Sequence, residues 1–468
     1  MTDATSHRPG LRWHVLAVVV LIVLSAVPRL YHLGQPSLWV DELATVGASL
    51  HWNPTWSRPI AFVAEHVALQ IKGVERQSSP PWKPEQWRAR GIDETVARWP
   101  ACLIGIFTVP ILYGLGCRVI GPRASFCAAA FLALNAWHVY WSQTARFYAL
   151  QFLFYNAALL MYLRWQSTRR ASSAGLAALL LLLTSLTQPT AVVLFGVLVL
   201  DGLVRVVRSG DRRALKRLLV GLLVPALVIG VALAVAVSRR PEDWTQFFQK
   251  PNLGKFRLVF SGAYFIGPPI VLAALLAGVR ALRQRDDTAT SLLIAAPLPI
   301  FAFSVLGFWG RVELRYCLVC LYAWVGLAGW LAFEIHGRSA RAGAWALAGC
   351  LAAGSLVPLY DYFRSNGLRP YTREAVTYVQ VHRRIGERIF MDPLEGGFYF
   401  GEPVAGDPPA VADDTHDEAA WLIYRTDDRG TLPPPRRWTD EHTQLRAVFG
   451  SEGIGRMARV YVRYRPAR

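Results

Sequence analysis

Long apolar runs separated by short basic loops dominate the first 361 positions of this 468-residue chain. Runs of about 18 or more apolar residues have the length a helix needs to cross a bilayer. The pattern predicts eleven membrane spans, at about 12–30, 97–118, 123–138, 146–164, 172–187, 189–207, 216–238, 262–282, 289–309, 316–336 and 341–361. Beyond position 361 the pattern turns polar. There, 372–385 reads as a helix, 388–391, 421–425 and 458–464 read as strands, and Pro433–Pro435 marks a loop. The expected fold is a polytopic α-helical membrane protein over 1–361 with a small C-terminal α/β domain over 362–468.

The loops predict an orientation. Taking the N-terminus as cytoplasmic, the inner loops carry Arg169 and Arg170, then Arg205, Arg208, Arg212 and Arg213, then Arg283 and Arg285, then Arg338 and Arg341. Basic loops mark the cytoplasmic face. An odd span count then puts the C-terminal domain on the extracytoplasmic side of the cell (inner) membrane. The first apolar run lacks a small-x-small cleavage site and is read as a retained helix rather than a signal peptide. The first outer loop, 31–96, is long and rich in Trp (Trp39, Trp52, Trp56, Trp82, Trp87), as suits helices lying at the lipid headgroups.

Composition agrees. Hydrophobic residues make up 53% of the chain and charged residues only 18%, against about a quarter in soluble domains. The formal net charge of +18 does not point to nucleic acid, because acids and bases nearly balance beyond Tyr362 and the excess lies in short membrane loops. All six cysteines fall in or beside apolar runs. Cys317 and Cys320 form a C-x-x-C without the second pair that a structural zinc site needs, so they read as packing residues.

Four polar constellations could carry chemistry. Asp41 and Glu42 follow the outer end of the first span. Adjacent carboxylates suit a general base or a divalent cation (Mg or Mn); equally, they could form an exposed acidic turn or cap a helix beginning near Leu43. In ALNAWHVYWSQTARFYAL (133–150), Arg146 and Tyr148 face the same side as Asp41, with His138 nearby. Arginine grips phosphate oxygens well, although an interfacial arginine can simply snorkel. In WGRVELRY (309–316), Arg311 and Arg315 lie outside against the charge bias, either for an anionic partner or for Glu313 between them. In QSSPPWK (77–83), Lys83 could reach a phosphate or the headgroups. Charged residues are absent from the middles of the spans, with Asp201 and Glu334 near inner ends, whereas ion-coupled transporters usually place such groups at mid-membrane.

Taken in order, these segments resemble the membrane-embedded glycosyltransferases of the C fold (GT-C) superfamily. The nearest branch is family 39, related to protein O-mannosyltransferases and the lipid A aminoarabinose transferase. The matching pieces are R-x-x-x-L-G-x-x-S-L-W-x-D-E (29–42), PP (80–81), RWPACLIGIFTVPILYGLGCRVIG (98–121), SQTARFYAL (142–150) and ELRYCLV (313–319). The resemblance implies an inverting transferase that moves a sugar from a polyprenyl-phosphate donor to a hydroxyl acceptor on a protein, a lipid or an envelope glycan. It implies Asp41 as the catalytic base, with Glu42 supporting it or holding a metal. Arg146, Tyr148, Arg311, Arg315 and Tyr316, with Lys83 and His138, would bind donor phosphate and substrate. The alternative reading is a lipid-linked sugar flippase or transporter, which would move the same amphiphile without cleaving it.

Overall fold

The computed structural model describes residues 10–51, 58, 60–74, 83–209, 257–309, 312–336, 341–404, 420–425, 443–449 and 458–463, with helical pieces inside 216–238. The chain is a helical bundle with a small sheet near its C-terminus. Helix α1 (Leu11–Leu30) is followed by two shorter helices, α2 (Val40–Leu50) and α3 (Val63–Ile71), before the long α4 (Glu94–Gly116). Asp93 starts α4, its carboxylate accepting from the Val96 N–H at 2.8 Å.

The lipid-facing surface is apolar, as a bilayer requires. In α1, Leu11, Val15, Val19, Val23 and Val27 recur every four residues and all are exposed, so one full stripe of the helix faces outward. Toward the centre the helices become small and close-packed. The most apolar stretch of Leu314–Ile335 is 89% buried, and Gly329 within it lies against Ala124 and Ala128 of α5 (Pro122–Leu134). The chain is a multi-pass membrane protein.

Among the described residues, five helices are long and apolar enough to span a bilayer, or six if one bent pair counts as one. The expected span 216–238 lies largely outside the described residues, so these helices are no count of the whole chain; three of the other expected spans are broken or reshaped locally. The predicted span 123–138 breaks at Asn135. This residue accepts from the Trp137 and His138 N–H groups at 3.0 and 3.1 Å, opening the short helix α6 (Ala136–Ser142). Its amide also donates to the Phe265 and Ile266 carbonyls, so it clamps a second break. There, 262–282 divides into Val259–Ile266 and Pro268–Gln284, bent by 100°. Gly267 sits at φ +102° and two prolines follow, so the first helix cannot continue. The predicted span 316–336 begins as a 3-10 turn, Leu314–Cys320.

The C-terminal strands form one mixed sheet in the order β1-β2-β4-β3. β1 (Arg388–Phe390) runs parallel to β2 (Ala420–Arg425), while β4 (Ala458–Arg463) is antiparallel to both β2 and β3 (Thr443–Phe449). The expected helix near 372 is Thr372–His382. Two elements escaped the pattern: β3, whose residues are mostly exposed, and the short helix Pro393–Phe400, which contains Gly396 and Gly397. The sheet does not stand apart. Leu38, Leu43, Val46, Trp87 and Ile92 of the first loop share one apolar core with Val376, Val379, Phe398, Trp421 and Val460.

Candidate active site

Glu42 and Asp41 are neighbours in sequence but face opposite surroundings. Glu42 is fully buried. Arg98 grips it bidentately, Nε to Oε1 at 2.9 Å and Nη2 to Oε2 at 3.0 Å, and Arg369 reaches Oε2 at 2.7 Å. The Ala145 N–H donates to Oε1 at 2.8 Å. Burial alone would raise the pKa of this carboxyl, but the Arg369 and Arg98 charges outweigh it and hold the pKa below the usual range. Arg98 spends its remaining donors on the carbonyls of Leu33, Pro36 and Ser37, at 3.0, 2.7 and 2.9 Å. The stretch L-G-x-x-S-L-W-x-D-E therefore wraps a guanidinium supplied by the RWP segment, and Glu42 closes the wrap.

SQTAR (142–146) serves the same frame residue by residue. Ser142 accepts from Arg29 at 3.2 Å. Gln143 caps the end of α1, donating to the Pro28, Arg29 and Tyr31 carbonyls. Thr144 accepts from Arg369 at 2.5 Å, and Ala145 holds Glu42. Arg146 donates to the Asp41 carbonyl at 2.9 Å and to Thr45 Oγ1 at 2.8 Å.

Asp41 is 31% exposed, and its Oδ2 lies 2.5 Å from Arg315 Nη1. Arg315 also pairs with Glu313 and lies against the rings of Trp39 and Tyr148, at 5.7 and 6.0 Å. Arg146 and Arg58 lie over the Phe147 ring at 5.0 and 5.4 Å. Burial lowers the pKa of Arg58, and so do the like charges of Arg146 and Arg315. The Nε atoms of Arg58, Arg146 and Arg315 are buried without a hydrogen-bond partner among the described residues. Three guanidiniums thus converge around Tyr148 and Tyr316 with donors to spare. All sit at one end of the bundle: Leu30 closes α1, Tyr148 opens α7 (Tyr148–Thr168), and Leu314 opens the segment into the central helix.

Of the residues singled out in the sequence, Asp41, Arg146, Tyr148, Arg315 and Tyr316 come together. Glu42 turns into the frame behind them. His138 is buried elsewhere, its Nδ1 2.5 Å from Arg29 Nη2, inside the contact between α1 and α6. Lys83 is exposed and precedes the short turn Pro84–Gln86, which packs on the Pro393–Phe400 helix. Arg311 and Pro80–Pro81 lie outside the described residues. Three arginines were missed: Arg58, Arg98 and Arg369. For Arg58 there was a signal, since it is a cation in the outer loop, opposed to the charge bias that singled out Arg311 and Arg315.

A divalent cation fits this donor set poorly. Both Glu42 oxygens already accept from guanidiniums, and Asp41 is paired with Arg315. Among the described residues no three His, Cys, Asp or Glu side chains converge as a metal site would require.

Glu65, on α3, is a different case. Its Oε1 is buried without a partner, and burial together with Glu42 pushes its pKa well above the usual carboxyl value. The folded chain keeps this proton at pH values where the unfolded chain has released it. Stability attributable to Glu65 therefore falls as pH rises from about 4.5. Glu65→Gln is expected to flatten the decline of the thermal midpoint between about pH 5 and about pH 8; a variant with the wild-type slope would contradict this.

The fold is shared by the solved structures of two other membrane proteins, a bacterial ArnT and an archaeal oligosaccharyltransferase. The chain is similar to ArnT from Cupriavidus metallidurans in the apo state, with a TM-score of 0.59 at 15% identity, covering 96% of this chain and 97% of that one. ArnT bound to undecaprenyl phosphate gives 0.58 at 14% identity, over 97% and 98% of the two chains. The apo oligosaccharyltransferase of Archaeoglobus fulgidus gives 0.54 at 14% identity over 84% of this chain, which spans 64% of that protein's length. At these identities the likeness is one of fold. No protein-family model matches the chain, and no curated sequence matches it.

Proposed function

We propose that this protein is an inverting glycosyltransferase that moves a sugar from a polyprenyl-phosphate donor to a hydroxyl acceptor on the extracytoplasmic face. The observation that carries the reading is the meeting of a half-open carboxylate, Asp41, with three guanidiniums that retain unused donors. A polyprenyl-phosphate sugar has an apolar tail and an anionic head, so its site must lie where apolar helices end, as this one does. ArnT of the same fold has been crystallised with undecaprenyl phosphate.

The charges favour a monophosphate. Among the described residues, Arg58, Arg146 and Arg315 stand with Asp41 and Glu313, a net charge of +1 that complements a single phosphodiester. On binding, the phosphate competes with Asp41 for Arg315. Releasing that pair makes Asp41 a better base at the moment the donor arrives. The acceptor oxygen attacks the anomeric carbon while its proton passes to Asp41. The bond from that carbon to the phosphate oxygen breaks, configuration inverts, and polyprenyl phosphate leaves with one more negative charge. The arginines stabilise that growing charge. Tyr148 and Tyr316 line the same cluster, and Glu42 acts indirectly, by fixing the helix that presents Asp41.

Arg58→Ala should weaken polyprenyl phosphate binding by about ten-fold to a hundred-fold, the value of a charge-assisted contact. Titration of purified protein with polyprenyl phosphate measures it, and unchanged affinity would remove Arg58 from the donor site. The side of the membrane is tested by labelling a cysteine introduced at Lys83 from outside intact cells. Labelling only after permeabilisation would reverse the topology.

One observation favours a second reading. The 100° break at Gly267 is the kind of interrupted helix that lipid-linked sugar flippases would use. That reading predicts movement of the donor without cleavage.

A further inference from the structure

The C-terminal unit reaches into the segment that carries Asp41 and holds it by its backbone. Tyr399 Oη accepts from the Leu38 N–H at 2.6 Å, and Glu395 Oε1 accepts from the Val40 N–H at 2.8 Å. Val40 is the first residue of α2, so its N–H has no partner within the helix. A carboxylate at this end also complements the helix dipole. One turn of chain is therefore fixed at two points just before Asp41, both from residues more than 350 positions away.

The surrounding contacts make this a rigid bracket. Arg373 donates its backbone N–H to Ser37 Oγ at 3.1 Å and its Nη2 to the Gly34 carbonyl at 3.1 Å. Glu395 is fully buried, and Thr372 donates to its second oxygen at 3.4 Å. Asp392 caps the helix bearing both anchors, accepting from the Leu394 and Glu395 N–H groups at 3.0 and 3.3 Å. Gly397 lets that helix approach the first loop: a Cβ there would stand 2.8 Å from Pro84 Cγ. The apolar core shared by the two segments lies beneath. A domain built only to recognise an acceptor would not need its buried polar atoms spent on the backbone of the opposite segment.

We propose that the C-terminal unit sets the geometry of the catalytic segment, with Glu395 and Tyr399 as positioning residues that aim Asp41 through the backbone of Leu38–Val40. The inference rests on the reading of Asp41 as the base. Neither residue need touch the donor, so their loss should alter turnover and spare donor binding. Displacing a reacting group by about 1 Å can cost about a hundred-fold in rate.

The test uses the full-length protein in nanodiscs, with active sites counted by polyprenyl phosphate binding. Tyr399→Phe and Glu395→Ala are expected to lower kcat per site about ten-fold or more while donor KM and polyprenyl phosphate affinity stay within about two-fold. Glu395→Gln keeps an oxygen that can accept from Val40 and should restore most of the loss. A purely structural role would reduce the number of sites and leave kcat per site at the wild-type value, which overturns the inference. If Glu395→Ala does not assemble, Tyr399→Phe, which removes a single hydroxyl, decides alone. Asp41→Asn is assayed beside them. Its retention of wild-type turnover would remove the base itself, whereas an inactive Asp41→Asn beside fully active Glu395 and Tyr399 variants overturns only the positioning role.

Discussion

Asp41→Asn is expected to lower kcat by about a hundred-fold to ten-thousand-fold, the usual contribution of a positioned general base. The substitution keeps size and shape. It removes the proton acceptor and the charge facing Arg315, 2.5 Å away. Affinity for polyprenyl phosphate should hold or rise, because Arg315 no longer divides itself between carboxylate and phosphate. Loss of turnover with intact donor binding is therefore the signature of a base. Equal loss of both would point to a structural carboxylate, and wild-type turnover would exclude Asp41 from the chemistry.

Glu42→Ala should have the largest effect on folding. Glu42 is the carboxylate shared by two guanidiniums that are almost completely buried, Arg98 at 1% and Arg369 at 2% exposure. Removing one partner of a buried ion pair costs about 3–5 kcal/mol, since the other charge is left uncompensated. Here two charges are stranded, and the Ala145 N–H loses its acceptor as well. The expected outcome is protein that fails to accumulate or melts far below the wild type in detergent. Folded, stable Glu42→Ala protein with lost activity would instead assign Glu42 a direct chemical role.

The adjacent carboxylates were legible in the sequence as a pair, and their division of labour was not. Nothing local distinguishes Asp41 from Glu42. What separates them is the partner each meets, and those partners lie far along the chain: Arg369 is 327 positions from Glu42, and Arg315 is 274 from Asp41. Arg98 stood inside a recognised stretch, RWPACL, yet its function depends on the carbonyls it gathers from residues 33–37. Apolar periodicity located the bundle and most helix ends, because burial in lipid demands long apolar runs. It missed the breaks at Asn135 and Gly267, where a side-chain cap and a left-handed glycine act on one residue inside an otherwise apolar run. The C-terminal helix and three of the four strands followed their patterns. The contact of that unit with the first loop was invisible, since its apolar core joins residues far apart in the chain and its polar anchors meet backbone N–H groups that every sequence has.

Asp41 and the surrounding arginines are proposed to cleave a lipid-linked sugar. This is tested most directly by incubating purified protein with a synthetic polyprenyl-phosphate sugar and an envelope extract as acceptor, then quantifying free polyprenyl phosphate by mass spectrometry. Free polyprenyl phosphate is expected in step with sugar incorporated into the acceptor, and almost none with Asp41→Asn. Donor that stays intact, even while it crosses the bilayer of a proteoliposome, would contradict it.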